Sequence, residues 1–227
     1  MKPGKTAFLP MLEGKGRDEV RRQLSETKGL IRVRDAISDS PVNRKVCDAY
    51  AYMGCQVCAN GNLDPEIRSR YNGAKPVLRR VTHAYFRNTN VSVQKKLDGA
   101  KSLILSKVCY ASGAHPILLP KERQRLHSNA IITYRCATSE SHNAVDSKQH
   151  LLSDAEFLRV YDLPAPYSMV RFSRLRMSIR MVFRSPFELL ALLHVGRHDA
   201  RSWLKALQRD LEWMAECDKE ASYDLMS

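Results

Sequence analysis

Five arginines recur along one predicted helix, between residues 169 and 184, and they are the side chains best placed for chemistry in this chain. They are Arg171, Arg174, Arg176, Arg180 and Arg184. A guanidinium group binds a phosphate through paired hydrogen bonds, so a row of them on a helix can meet a row of phosphates. We therefore predict a nucleic-acid contact here, with Phe172 and Phe183 anchoring the helix to the core. A solvated basic face without a ligand remains the alternative.

A second basic cluster, Lys121, Arg123 and Arg125, lies in the first turns of another predicted helix. The whole chain of 227 residues carries 37 Lys and Arg against 24 Asp and Glu, a formal net charge of +13. A positive field of this size attracts polyanions, of which nucleic acid is the commonest. Because the arginines cluster instead of spreading, we expect the two clusters to form a groove for a nucleic-acid backbone.

Residues typical of enzyme or metal sites do not combine into such a site. Cys55 and Cys58 form a CxxC, but no second pair stands at a spacing that would complete a zinc site, which favours two small buried residues. The six cysteines are expected to be reduced thiols. Ser106 and Ser202 have no local base, so a hydrolase has no support. No Asp-Asp pair occurs in the sequence, although two-metal phosphoryl transfer needs paired carboxylates.

The basic clusters must be positioned by helices that the apolar pattern predicts. Residues 95–137 read as two helices joined by a tight turn at Gly113 and Pro116. Each helix carries its apolar residues on one face. The stripes are Leu97, Ala100, Ile104 and Val108 in the first helix, and Leu119, Leu126, Ala130 and Ala137 in the second.

Further helices are predicted on both sides of this hairpin. Asp64 caps the start of one, and Pro76 should kink or split it. Ser153 and Glu156 form a capping box that opens another. The arginine-bearing helix has Phe172, Leu175, Ile179 and Phe183 on one side, and the last helix has a stripe of Ala200, Trp203, Leu207, Leu211 and Met214.

Short strands are predicted only in the first quarter of the chain. Residues 5–9 and 30–34 read as strands, and residues 46–57 read as a further strand region that ends at the turn Asn60-Gly61. The predicted fold class is therefore α+β and predominantly α-helical, with short N-terminal strands followed by a bundle of helices.

The predicted hairpin carries a motif of helix, turn and helix made of Ser106, Tyr110, Gly113 and Pro116, followed by Leu126 and Arg135. It resembles the thumb of reverse transcriptases from LINE-type (non-LTR) retrotransposons. Ala111 and His115 stand where that family often has Gly and Trp.

Other motifs, in the family's order along the chain, resemble further parts of these polymerases. Residues 2–6, Lys-Pro-Gly-Lys-Thr, are similar to the palm segment that follows the catalytic aspartates. Residues 50–54 are similar to the primer-grip hairpin, through Tyr50, Tyr52, Met53 and Gly54. Three further motifs resemble the family's segment beyond the thumb: Asp-Ala-Glu at 154–156, Arg-Leu-Arg at 174–176 and Ser-Trp-Leu at 202–204.

The resemblance implies three segments: a palm remnant with a primer-grip-like hairpin at 1–62, thumb-like helices at 63–138, and a post-thumb helical region at 139–227. Lys5 matches the lysine that is thought to neutralise the departing pyrophosphate, although an exposed basic residue is the simpler interpretation. The family's Tyr-x-Asp-Asp turn is not in this sequence. We therefore expect no polymerisation by this chain alone and no cofactor in it, whereas the full-length parent would need Mg²⁺.

The function that the resemblance implies is a reverse-transcriptase fragment that binds the backbone of a template–primer RNA/DNA duplex. Two alternatives stay open: a helical scaffold or protein-interaction module with an acidic partner, and a decayed reading frame without a selected role. No apolar run reaches the length of a membrane span, and the first residues are too interrupted for a signal peptide. We expect an intracellular protein, nuclear or cytoplasmic, with no membrane partner; its oligomeric state and its choice between RNA and DNA stay open.

Overall fold

The computed structural model describes residues 7–8, 15–34, 41–47, 49–52, 55–58, 61–138 and 152–224. Its fold is α+β and predominantly helical, as the sequence predicts. The chain divides into two compact units, Met1–Ser69 and Arg70–Ser227. The assignment of three segments to palm, thumb and post-thumb stays a prediction.

The strands lie in the first unit and form two small sheets. One contains β1 (Ala7–Phe8), β2 (Leu30–Arg34) and β3 (Pro41–Val46), with β3 in the centre, parallel to β1 and antiparallel to β2. The other is an antiparallel pair of β4 (Ala49–Tyr52) and β5 (Cys55–Cys58). The strand region predicted for 46–57 therefore contains two strands, which pair with each other. The strand β3, whose middle is polar, was not predicted.

The first unit also holds α1 (Arg17–Glu26) and the start of α2 (Asp64–Val81). In the first turn of α2, the buried Glu66 carboxylate accepts a hydrogen bond of 2.5 Å from the backbone N–H of Gln56 in β5. Pro76 does not divide α2. It stands at an exposed position, where water can satisfy the carbonyl that loses its N–H partner.

The predicted helical hairpin is present in the second unit. Its first arm runs through α3 (Val93–Ala100), a π-helical segment (Lys101–Leu105) and α4 (Ser106–Val108), and its second arm is α5 (Pro120–Thr138). The predicted stripe of the first arm is entirely buried. In the second arm Leu126, Ala130 and Ala137 are buried, but Leu119 precedes the helix and is exposed, so its assignment to the stripe is wrong.

Four more helices follow: α6 (Asp154–Val160), α7 (Pro166–Arg184), α8 (Phe187–Val195) and α9 (Trp203–Asp224). The capping box that opens α6 is confirmed, since the Ser153 hydroxyl accepts from the N–H of Glu156 at 3.3 Å and the Glu156 carboxylate accepts from the N–H of Ser153 at 3.0 Å. Within the described residues, no helix combines the length and the apolar character needed to cross a membrane.

The buried faces of α7 and α9 differ from those predicted. On α7 the buried residues include Val170, Arg174, Leu175 and Met181, so only Leu175 of the predicted apolar side lies inside. On the part of α9 whose side chains are described, residues 203–217, Ala206 and Asp210 are buried, whereas Leu211 and Met214 of the predicted stripe are exposed. The inward faces of α7 and α9 differ from those predicted because Arg174 of α7 and Asp210 of α9 are buried against each other.

Candidate nucleic-acid interface

Arg174 is not available to a phosphate, and its assignment as a nucleic-acid ligand is therefore wrong. Its side chain is 0% exposed and forms an ion pair with Asp210, which is itself 1% exposed. Its Nε donates to the carbonyl oxygen of His115 at 3.1 Å, and its Nη2 donates to that of Pro116 at 3.4 Å. These interactions fix the turn of the helical hairpin against α7 and α9.

The same turn is held by two further contacts with distant parts of the sequence. The indole N–H of Trp203 donates to the carbonyl oxygen of Gly113 at 2.7 Å. A Cβ atom built on Gly113 would lie 2.6 Å from the carbonyl oxygen of Ser173, so α7 approaches the turn as closely as a glycine permits. The hairpin, α7 and α9 therefore form one packed body around residues 112–117.

Glu122 secures the start of α5 next to this turn. Its carboxylate is buried and accepts from the backbone N–H of Leu119 at 2.6 Å, which caps the helix. Arg201 donates to the same carboxylate and to the carbonyl oxygen of Ile117, each at 3.3 Å. These bonds fix the orientation of the first turns of α5, where the second basic cluster lies.

A ladder of alternating arginine and aromatic side chains connects the two predicted basic clusters. The guanidinium of Arg123 on α5 lies 4.5 Å from the centre of the Tyr167 ring, and that of Arg171 lies 5.1 Å from the same ring. Arg171 also lies 4.7 Å from the ring centre of Trp213 on α9, and Trp213 meets Phe172 edge to face at 5.4 Å. Arg123 and Arg171, 48 residues apart in the sequence, thus share one aromatic ring.

This cation–aromatic ladder was missed by the sequence analysis, although part of it has a local signal. Tyr167 and Arg171 are four residues apart on one helix, a spacing at which side chains meet. The remaining rungs need the packing of α5 and α9 against α7. No sequence spacing within a single helix contains that information.

One carboxylate lies beneath the ladder. Burial raises the pKa of the Asp210 carboxyl, and the positive charges of Arg174, Arg171 and Arg123 oppose that rise. Since one carboxylate cannot neutralise three guanidinium groups, the surface above it keeps an excess of positive charge. The exposed Lys121 and the partly buried Arg125 add to this excess at the start of α5.

The outer face of α7, defined here as Phe172, Arg176, Ile179, Arg180, Phe183 and Arg184, is exposed to solvent. Arg176, Arg180 and Arg184 are thus accessible, as a phosphate-binding role requires. Phe172 and Phe183 are 56% and 81% exposed, so their prediction as core anchors is wrong. The buried Arg174–Asp210 pair occupies the opposite side of the helix and determines which residues remain outside.

A second polar cluster joins the end of the hairpin to α6. The buried Arg135 donates to the carbonyl oxygen of Leu152 at 2.7 Å and to Asp154 at 3.0 Å, and His127 Nε2 lies 3.1 Å from Asp154. Burial alone would raise the pKa of Asp154, but the hydrogen bonds from Arg135 and His127 hold it below its usual value. This cluster positions α6 against the end of the hairpin.

The predicted primer-grip and leaving-group residues are described only in part. Lys5, Met53 and Gly54 lie outside the described residues. Tyr50 lies half-buried in β4 opposite Val57, and the backbone of Tyr52 pairs with Cys55. An antiparallel hairpin therefore exists at this motif, and its role in holding a primer stays a prediction.

The described residues contain no group of three or more His, Cys, Asp or Glu side chains that could hold a metal ion. None of the six cysteines, all of which are described, forms a disulfide. Burial raises the pKa of the Cys109 thiol to about 11, so this thiol is protonated and a poor nucleophile at neutral pH. Among the described residues, the exposed arginines and the ladder have the chemistry to bind an anion.

Comparison of the chain with protein-family models, with curated proteins and with solved structures gave no match.

Proposed function

We propose that this chain is the end of the palm, the thumb and the post-thumb region of a LINE-type reverse transcriptase, and that it binds template–primer nucleic acid through the phosphate backbone. The observation that carries this proposal is the shared contact of Arg123 and Arg171 with the ring of Tyr167. It brings together one arginine from each of two clusters that are far apart in the sequence. Basic groups that lie close together match a run of phosphates better than two separate patches would.

The motifs behind the resemblance also support the proposal, because they contact one another. Trp203 of the Ser-Trp-Leu motif donates to Gly113 of the thumb-like turn, and Arg174 of the Arg-Leu-Arg motif donates to His115 and Pro116 in the same turn. Residues separated by 58 to 90 positions thus form one structural unit.

The test is the affinity for a labelled RNA–DNA template–primer, a duplex with a single-stranded template overhang, at a series of salt concentrations, measured by fluorescence anisotropy. We expect the logarithm of the association constant to fall steeply with the logarithm of the salt concentration, as phosphate contacts require. The triple variant Arg176→Gln, Arg180→Gln and Arg184→Gln should lower this slope by roughly 2–3, since each lost phosphate contact removes about 0.9. Arg174 is left intact because its replacement would disturb the core.

The matched control is Arg79→Gln, Arg80→Gln and Arg87→Gln, which removes the same charge from exposed positions on α2 and just after it. We expect the control to bind with a slope close to that of the unaltered chain. Equal losses in both triple variants would show that net charge alone attracts the duplex. A slope near zero for the unaltered chain would refute phosphate binding altogether.

A protein-interaction module remains the second candidate function, because α8 exposes large apolar residues. Phe187, Leu192 and Val195 are each more than two-thirds exposed. Binding to nucleic acid that does not change in the triple-arginine variant would favour this candidate.

A further inference from the structure

The outer face of α7 combines two kinds of side chain in one row. Phe172, Arg176, Arg180 and Arg184 follow one another at intervals of four residues, which places them on one side of a helix. Ile179 and Phe183 occupy the same side, at three- and four-residue spacings from their neighbours. Phe172 and Phe183 are eleven positions apart, about 16 Å along the helix axis. Arg176 and Arg180 therefore lie between two exposed aromatic rings, and Arg184 follows the second ring.

Phe172 is partly covered by its edge-to-face contact with Trp213, whereas Phe183 is 81% exposed and the three arginines are exposed to solvent. Like charges at i and i+4 repel each other and oppose helix formation, which applies to Arg176 with Arg180 and to Arg180 with Arg184. At about 200 Å² for a phenylalanine side chain, Phe183 alone exposes on the order of 150 Å² of apolar surface. A ligand that satisfies the whole face must supply both anions and flat apolar groups.

Nucleic acid satisfies both requirements only when its bases are unpaired. A duplex presents phosphates and sugars on its outside and keeps its bases stacked within, so it would leave the phenylalanines without a partner. A single strand presents phosphates to the arginines and base faces to the aromatic rings, which is the combination that single-strand-binding surfaces use.

We propose that the outer face of α7 binds a single-stranded segment of nucleic acid, with phosphates on Arg176 and Arg180 and bases stacked on Phe183 and Phe172. This inference rests on the proposed function, because it specifies which part of a template–primer the same surface contacts. A single-stranded segment adjoining the duplex lies on α7, while the basic start of α5 remains free to contact the duplex backbone.

The test uses three labelled ligands with the same number of phosphates: oligo-dT, an abasic oligonucleotide and a blunt DNA duplex. The abasic strand keeps every phosphate and lacks the bases, so it separates stacking from charge. The variant is Phe183→Ala, because Phe172 also packs on Trp213. Its matched control is Phe187→Ala on α8, where a phenylalanine of nearly equal exposure, 79%, lies on a different helix.

We expect the unaltered chain to bind oligo-dT more tightly than the abasic strand. Phe183→Ala should weaken the binding of oligo-dT by about tenfold, which is within the range measured for one base–aromatic stack. The affinities for oligo-dT and for the abasic strand should then become more similar. Binding of the abasic strand and of the duplex should change less than twofold. Phe187→Ala should leave the affinity for all three ligands unchanged.

Equal affinity for oligo-dT and the abasic strand would overturn this inference, as would equal effects of Phe183→Ala and Phe187→Ala. In that case phosphate binding with a normal salt slope would still support the proposed function. If none of the three ligands binds in a salt-dependent way, both proposals fail. The exposed apolar residues of the outer face of α7 would then be assigned to contact with another protein.

Discussion

The two faces of α7 offer a direct comparison, because both carry arginine in a helix of 19 residues. On the inner face, Arg174 is fully buried, paired with Asp210 and bonded to the carbonyl oxygens of the hairpin turn. On the outer face, Arg176 and Arg180 lie exposed beside Phe183. The inner arginine stabilises the packing of three helices, and the outer ones are accessible to a ligand. The role of each arginine on α7 therefore depends on whether its position on the helix faces Asp210, and not on its residue type.

The largest effect should come from breaking the inner face at its acidic partner. Asp210→Ala leaves the guanidinium of Arg174 buried without its counter-charge, which costs about 3–5 kcal/mol of unfolding free energy. Urea denaturation followed by circular dichroism measures this loss. The control is Glu212→Ala, two residues further along α9 at an exposed position, which should lower the free energy of unfolding by less than about 0.5 kcal/mol. Similar losses in the two variants would contradict a structural role for the buried pair.

A second variant separates the ion pair from simple packing. Arg174→Met combined with Asp210→Leu replaces both charges with apolar groups, and we expect it to be more stable than Asp210→Ala alone. If the double variant is as unstable as the single one, the bonds from Arg174 to the hairpin turn contribute more than its charge balance does.

The next effect, in order of size, concerns the close approach of the hairpin turn to α7. Gly113→Ala would place a Cβ atom 2.6 Å from the backbone carbonyl oxygen of Ser173, and a backbone atom cannot move away as a flexible side chain can. We expect a loss of about 1–3 kcal/mol from the overpacking. Gly73→Ala is the control, because nothing lies within 4 Å of its Cβ position and the residue is within α2. That variant should gain up to about 1 kcal/mol in helix propensity, so the two substitutions should differ in sign.

The sequence predicted the elements of this region better than their orientations. The hairpin and the buried stripe of its first arm follow from 3.6-residue periodicity, and the α6 start follows from the local chemistry of Ser153 and Glu156. The periodicity of α7 misled the analysis because Phe172 and Phe183 look like core residues while Arg174 looks like a surface residue. Tertiary pairing with Asp210, 36 positions away, reverses that assignment. A buried ion pair between distant segments leaves no periodic signal.

A smaller effect should appear as pH dependence at the cluster of Arg135, His127 and Asp154. The pKa of Asp154 is lower in the folded chain than in the unfolded chain, so the unfolded state takes up a proton first as pH falls. The contribution of Asp154 is therefore complete above the unfolded pKa of about 4 and is lost as pH falls through the lower, folded value. Asp154→Asn should be less stable than the unaltered chain at pH 7, and this difference should shrink in acid. A constant difference down to pH 2.5, as measured by urea denaturation at each pH, would contradict this assignment.

The smallest effect on the free energy of unfolding is expected on the outer face of α7. Arg176→Gln combined with Arg180→Gln removes two exposed charges that repel each other at i and i+4, and such a repulsion is worth roughly 0.2–0.5 kcal/mol. The free energy of unfolding should thus stay the same or rise slightly, whereas the affinity for nucleic acid should fall. Both quantities are measured on the same preparation, by urea denaturation and by fluorescence anisotropy. A loss of stability comparable to that of Asp210→Ala would mean that these arginines, like Arg174, support the fold. A variant that keeps its free energy of unfolding but loses affinity for nucleic acid would assign the outer face to binding and the inner face to folding. Arginine would then serve a different purpose on each side of one helix.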